Sequence, residues 1–255
     1  MDSFNGKTAF VTGGTSGIGR AAAVAFGRAG ALVAVVGRHV AEGQKTLDLL
    51  LEAGGDGLFI PVDLAREADV IGAIEQTASR FGHIDFTANC AGIDLNADLV
   101  DYTEADFDTI FDANVKGLFF CLKHQILAMK DKGGVIINVT SVAAQKPFAG
   151  NSLYNASKSA AAMLTRTAAV EAGKHGIRII EVAPGPIETP MLRGYLRQEA
   201  AHGSQVTEKT VEAKTLLGHI GRPEDVANAI MFFCSPSASF VTAATLTVDG
   251  GFVLS

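Results

Sequence analysis

The sequence predicts an α/β protein with a doubly wound sheet of about seven parallel strands and helices on both faces. Three observations predict it. Short runs that are apolar almost throughout alternate with longer helix-forming segments, as expected of strands covered on both sides. A glycine-rich turn from Gly13 to Gly19 joins the first apolar run to an Ala-rich helical stretch. No linker, repeat or low-complexity tract divides the 255 residues, so one domain over 1–255 is expected.

Taken in order, the strands are read at Thr8 to Thr12, Leu32 to Val36, Leu58 to Val62, Ile84 to Ala88, Val135 to Val139, Ile177 to Val182 and Leu246 to Val248. Helices begin near Gly17, Glu42, Glu67, Glu104, Ser152 and Pro223, which makes the pattern repeated βα. One region breaks the rhythm. From Thr189 to Gly221 the chain turns polar and reads as irregular, an insertion over the carboxyl edge of the sheet, and such segments often form substrate lids, here 189–221.

Composition narrows the function. Hydrophobic residues make up 48% and charged residues 19%, ordinary for a buried α/β sheet. The formal charge of −6 and the lack of a dense Lys/Arg run argue against a nucleic-acid partner. No apolar stretch reaches the ~20 residues of a membrane span. Met1-Asp2-Ser3-Phe4-Asn5-Gly6-Lys7 has no signal-peptide core, so no membrane and a cytoplasmic location are expected. Cys90, Cys121 and Cys234 stand apart in apolar surroundings with no metal-ligand spacing, which reads as reduced, buried thiols and no metal.

Two constellations carry chemistry. Thr12-Gly13-Gly14-Thr15-Ser16-Gly17-Ile18-Gly19 sits between a strand and a helix, where glycines allow a tight turn and backbone N–H groups can approach a pyrophosphate at the positive helix end. Its spacing is neither G-x-G-x-x-G nor a P-loop, and a ligand-free tight connection would look the same. The second constellation is Tyr154, four residues before Lys158 on a helix, with Ser141 thirteen residues upstream. A tyrosine ionises near pH ~10, so proton exchange near neutrality asks for roughly 4 kcal/mol of phenolate stabilisation. An ammonium one turn away can supply much of that, and a serine hydroxyl can polarise a substrate oxygen. Tyr-x-x-x-Lys alone is equally an amphipathic surface pair.

Together these residues resemble the classical short-chain dehydrogenase/reductase family over nearly the whole chain. The family's Thr-Gly-x-x-x-Gly-x-Gly is matched at Thr12 to Gly19, and its Asn-Asn-Ala-Gly at Asn89-Cys90-Ala91-Gly92, with Cys90 a departure. Its Asn-Ser-Tyr-Lys tetrad is matched by Asn114, Ser141, Tyr154 and Lys158, and its Pro-Gly by Pro184-Gly185 with Thr189 following. The resemblance implies a Rossmann-type fold and hydride transfer between nicotinamide and a secondary alcohol or ketone, with no metal. Tyr154 would exchange the proton and Ser141 would hold the substrate oxygen. Lys158 would lower the tyrosine pKa and bind the nicotinamide ribose, and Asn114 would anchor a water leading protons to solvent. The implied cofactor residues are Gly13, Thr15, Ser16, Gly17, Ile18, Gly19, Asp63, Leu64, Asn89, Ala91, Gly92, Tyr154, Lys158, Pro184, Gly185, Ile187 and Thr189. Among these, Asp63 would take the adenine, Asn89 the adenosine ribose side and Thr189 the carboxamide, although Asp63 also reads as a helix N-cap.

Cofactor choice rests on the end of the second strand, Val36-Gly37-Arg38-His39, where no carboxylate stands to engage a ribose and Arg38 can bind a 2′-phosphate. NADP(H) is therefore expected over NAD(H), with a solvated loop arginine as the alternative and Ser16 where many NADP-dependent relatives carry a basic residue. A homotetramer is implied by the resemblance, through the helix after Lys158 that carries Met163 and Leu164. The small-molecule alcohol or ketone pocket is read as apolar, from Ile93, Leu95, Val142, Ala143, Phe148, Met191, Leu192 and Tyr195. An acyl-carrier-protein ketone, as for a 3-oxoacyl-carrier-protein reductase, would need Lys130, Lys132, Arg193 and Arg197 gathered into one basic surface. A catalytically idle NADP sensor or scaffold is the competing class. His39, His83, His124, His175, His202 and His219 are scattered, which disfavours metal or Ser-His-Asp chemistry.

Overall fold

Successive side chains of a strand point to opposite faces, and here both faces are apolar. Val11, Val33, Val35, Ile137 and Ile180 pack on one side of the sheet with Ala22, Phe26, Val226 and Ile230. Their neighbours Phe10, Ala34 and Val36 turn to the other side with Val70 and Ile74, and Ile136 and Ile179 do so with Leu122 and Ala168. Burying an aromatic ring as completely as Phe26 contributes about 1.5–3 kcal/mol. The computed structural model describes residues 4–201 and 203–255, so Met1, Asp2, Ser3 and His202 lie outside the described residues.

The strands are β1 (Thr8–Thr12), β2 (Leu32–Gly37), β3 (Asp56–Pro61), β4 (Phe86–Asn89), β5 (Gly134–Val139), β6 (Ile177–Pro184) and β7 (Thr245–Val248). They form one parallel sheet in the order β3-β2-β1-β4-β5-β6-β7. The order reverses between β1 and β4, where a doubly wound sheet opens a crevice at its carboxyl edge. The helices are α1 (Gly17–Arg28), α2 (Val40–Glu52), α3 (Glu67–Phe81), α4 (Glu104–Phe111), α5 (Gly117–Met129), α6 (Ser152–Ala172), α7 (Pro190–Ala201), α8 (Glu208–Glu212) and α9 (Pro223–Cys234). Local chemistry starts several of them. Thr103 Oγ1 accepts from Asp106 N at 3.2 Å while Asp106 Oδ2 accepts from Thr103 N at 2.9 Å, a capping box opening α4. Pro223 opens α9, with Asp225 Oδ2 accepting from Arg222 N at 2.7 Å.

Strand boundaries shift from the sequence expectation where burial and pairing part company. Ile84 is buried but stands before β4, whose pairing begins with Asp85 N donating to Thr8 O at 3.0 Å, while the Asp85 carboxylate accepts from Lys7 Nζ at 2.8 Å and Thr8 N at 3.0 Å. At the other end β6 runs on to Pro184, since Gly185 N still reaches Val248 O at 3.0 Å. The expectation of an irregular segment after Thr189 is overturned, because Pro190–Ala201 forms a helix and Glu208–Glu212 a short one. Between α4 and α5 the helix widens at Asp112–Lys116, where the Gly117 N–H reaches back to Asp112 O.

Candidate active site

The glycine turn is shaped by what cannot fit beside it. Gly13 has φ +64°, and a Cβ there would stand 2.7 Å from Ala91 N. A Cβ at Gly19 would meet Gly13 O at 2.3 Å, and one at Gly17, φ +48°, would meet Thr189 Cγ2 at 3.1 Å. Bare glycines therefore let three segments close around a cleft of about 420 Å³ at the start of α1. Its lining includes Gly13, Thr15, Ser16, Gly17, Ile18, Gly19, Arg38, Asp63, Leu64, Ala91, Gly92 and Thr189. The cradle fits a nucleotide pyrophosphate, and the β2 end offers it Arg38, exposed with His39 just past the buried Gly37. The nearest acid downstream, Glu42, is engaged by Arg20 at 2.5 Å. Asp63 Oδ1 accepts from Ala65 N at 3.1 Å in the turn ahead of α3, whose N-cap is Arg66 and not Asp63 as the alternative reading had it. Pro184 and Ile187 are buried, Gly185 packs against Asp249, and Cys90 rather than Asn89 faces the cleft.

Asn89 instead turns into the molecule. Its Nδ2 donates to Gln125 Oε1 at 2.9 Å and Asn138 Oδ1 at 2.8 Å, and its Oδ1 accepts from Gln125 Nε2 at 2.8 Å. Asn138 Nδ2 continues to Thr165 Oγ1 at 2.9 Å, so a buried amide ladder ties β4, β5, α5 and α6 behind the cleft.

Two of the tetrad residues, Asn114 and Lys158, flank Gly92. A Cβ on Gly92 would meet Lys158 Nζ at 3.1 Å and Asn114 Oδ1 at 3.3 Å. Asn114 lies in the widened turn before α5, where Oδ1 accepts from Ile93 N at 2.8 Å and Nδ2 donates to Ile93 O at 2.9 Å and Ser157 Oγ at 3.0 Å. Ser141 follows β5 with Oγ accepting from Ala143 N at 3.1 Å, and it lies close enough to the Tyr154 phenol to pull its pKa down. Lys158 Nζ lies 5.6 Å from the Tyr154 ring centroid and donates to Val139 O at 3.4 Å.

Electrostatics here differ from the sequence expectation. Burial pushes the Tyr154 phenol above its ordinary pKa, with the Ser141 hydrogen bond opposing and the Asp94 charge adding to the rise. The lysine yields instead. Burial lowers Lys158 to about 8, against the opposing pull of Cys90, Asp94 and Glu181. The physical reason is burial, which disfavours the charged form of both groups and so raises the phenol and lowers the ammonium. Cys90 and Cys121 are pushed up to about 12 by burial, which keeps them thiols.

Matched to residues 13–253 is the family model described as Enoyl-(Acyl carrier protein) reductase. The chain belongs to the short-chain dehydrogenase/reductase family. Members of this family are oxidoreductases of alcohols and ketones that use NAD(P), and this short-chain dehydrogenase/reductase is an oxidoreductase of that kind. It is 36% identical to a 2,5-dichloro-2,5-cyclohexadiene-1,4-diol dehydrogenase of Sphingobium indicum, over 99% of both chains. It is 37% identical to a cis-4-hydroxycyclohexanecarboxylate dehydrogenase of Sinomonas cyclohexanicum, over 98% of both. The crystal structure of levodione reductase superposes with a TM-score of 0.95 at 31% identity, covering 99% of each chain.

Two functional candidates escaped the sequence reading of this short-chain dehydrogenase/reductase. Glu181 is 1% exposed within the apolar strand Ile177–Pro184, where it accepts from Thr140 Oγ1 and Thr245 Oγ1, both at 2.6 Å. A lone carboxylate in an apolar run was the visible signal. Asp94 follows Ile93 with no such signal. Of the expected apolar wall, Ile93 and Met191 line the cleft, Val142 and Ala143 are buried, and Phe148 rests on Phe252 with centroids 5.8 Å apart. Among the described residues no group of His, Cys, Asp or Glu could hold a metal, and no helix is long and apolar enough to cross a membrane.

Proposed function

We propose that the protein interconverts a secondary alcohol and a ketone with NADP(H). The observation that carries this reading is the approach of Asn114 and Lys158 to Gly92, with Tyr154 beside Lys158 and Ser141 acting on Tyr154, next to a glycine cradle whose β2 rim bears Arg38 and no free carboxylate. When bound, the nicotinamide supplies or accepts the hydride. Ser141 Oγ holds the substrate oxygen, and the Tyr154 hydroxyl gives it the proton in reduction or takes it in oxidation. Lys158 helps pass that proton on toward solvent through a water that Asn114 anchors. The Arg38 guanidinium forks onto the 2′-phosphate that separates NADP from NAD.

Several further readings belong to the same proposal. Residues 1–255 act as one unit, with α7 and α8 over 189–221 as the substrate lid. Phe119, Leu127, Met163 and Val170 are exposed on α5 and α6, which supports burial against further copies in a homotetramer. Three free thiols suit the reducing cytoplasm. A carrier-bound substrate is disfavoured, because Lys130 and Lys132 precede β5 at the amino edge while Arg193 and Arg197 stand on α7 past β6. The test is to titrate the protein with NADPH and NADH by nicotinamide fluorescence, then follow cofactor absorbance with cyclic and linear ketones. Tighter NADPH binding with turnover supports the reading, NADH preference overturns the Arg38 assignment, and binding with no turnover moves the protein to the sensor class.

A further inference from the structure

Beside the reacting groups lies a set of acceptors that the proposed reaction does not employ. Asp94 is within electrostatic reach of Tyr154, Lys158 and Tyr195. Its Oδ2 accepts from Asn96 Nδ2 at 3.3 Å, whereas Oδ1 is shut off from solvent and has no hydrogen-bond partner. Asn96 Nδ2 also donates to Gln198 Oε1 at 3.2 Å on α7, which fixes the amide orientation and leaves Asn96 Oδ1 buried and unpartnered as well. A bridge between Ala97 and Asn151 sets this loop against the start of α6, where Asn151 Oδ1 and Asn155 Oδ1 are further such acceptors and the Ser152 hydroxyl is likewise buried without a partner.

Buried acceptors without donors are rare, and they are costliest where one is a carboxylate. The oxygens of Asp94, Asn96, Asn151 and Asn155 share one deficiency, since each lacks a donor. An anionic ligand group would add its charge to that of Asp94, and an ammonium would meet the Lys158 charge nearby. A neutral hydroxyl satisfies the oxygens without either conflict. The cover over them is light, because the Asn96–Gln198 bond lies at the exposed end of α7 and can be exchanged for a substrate group.

We propose that Asp94, with Asn96 beside it, forms a subsite for a second hydroxyl of the substrate, so that the enzyme acts on hydroxyketones and diols in preference to plain ketones and alcohols. This rests on the oxidoreductase reading above. Lifting Gln198 frees Asn96 to turn, and the substrate hydroxyl then donates to the Asp94 carboxylate while the reacting carbon faces Tyr154.

The experiment compares 4-hydroxycyclohexanone with its isostere 4-methylcyclohexanone, with NADPH as reductant. Wild type should favour the hydroxyketone in kcat/KM by at least about tenfold, because a site built for a hydroxyl penalises its replacement. In Asp94→Leu the ratio should fall to about one, with Asp94→Asn between, while NADPH binding shows each variant to be folded. A wild-type ratio near one, a ratio surviving in Asp94→Leu, or preference for 4-oxocyclohexanecarboxylate would overturn the proposal. If NADPH binds but neither ketone is reduced, the oxidoreductase reading fails on its own. The subsite is then judged by calorimetry of cyclohexane-1,4-diol against 4-methylcyclohexanol on the NADPH complex, where a diol advantage lost in Asp94→Leu supports it and equal binding rejects it.

Discussion

The carboxyl edge of the sheet has two unlike halves. Around β1 and β2 the surface is built from backbone, with Gly13, Gly17 and Gly19 shaped by contacts that no Cβ could share. Around β4, β5 and β6 it is built from side chains, with Lys158, Glu181 and Asn114 almost wholly removed from water. The first half gains its shape by leaving atoms out. The second stores electrostatic free energy by keeping charge in a poor solvent, and the two should fail differently when altered.

The largest effect falls on the side-chain half. Tyr154→Phe should lower kcat by about 10²–10⁴-fold, the usual worth of a general acid–base group, while NADPH still binds. Near-normal turnover by that variant would remove the distinction between the halves. Next comes the charge itself. Lys158 is lowered from 10.5 to about 8, so below pH 8 the folded protein carries a buried ammonium that the unfolded chain solvates freely. Stability attached to this group therefore rises as pH climbs from about 8 to 10.5, because the unfolded state then binds the extra proton. Lys158→Met should stabilise the cofactor-free protein by about 3 kcal/mol near pH 7, an advantage fading above pH 10, as read by urea unfolding at several pH values.

The backbone half should respond by shape. Gly13→Ala forces an L-residue into φ +64° with its Cβ 2.7 Å from Ala91 N. The conformation alone costs about 1–2 kcal/mol, so a lower Tm together with lost NADPH binding is expected. A variant that kept cofactor affinity would show that the cradle tolerates filling. The smallest effect is Arg38→Ala, expected to narrow the NADPH-over-NADH preference by about tenfold, which is ~1.4 kcal/mol for an exposed charge-assisted contact.

The two halves were also unequally legible. Glycine spacing, Arg38 and the strand pattern could be read directly, because backbone constraints leave a local imprint and strands buried on both faces are apolar throughout. Helix α7 could not, since Pro190–Ala201 mixes Arg193, Arg197 and Gln198 with apolar residues and no residue of it is buried. The Tyr154 and Lys158 spacing was visible, but the sign of the tyrosine shift was not, because it depends on burial and on the Asp94 charge brought in from another segment. The side-chain partners of Asn89 were hidden for a like reason, since Gln125 and Asn138 come from distant segments.

The widened turn at Asp112–Lys116 has a consequence for how the chain can vary in length. Deleting one residue there would restore a regular helix, but each residue of a helix advances about 1.5 Å and turns roughly 100°. Asn114 would swing away from Ile93, and by the same rotation Phe119 and Leu127 would leave the outer face they now occupy on α5. The extra residue thus acts as a phase setter between the reaction centre and the protein's exterior, and frame-preserving insertions or deletions in this stretch should be far less tolerated than in the connection between α7 and α8.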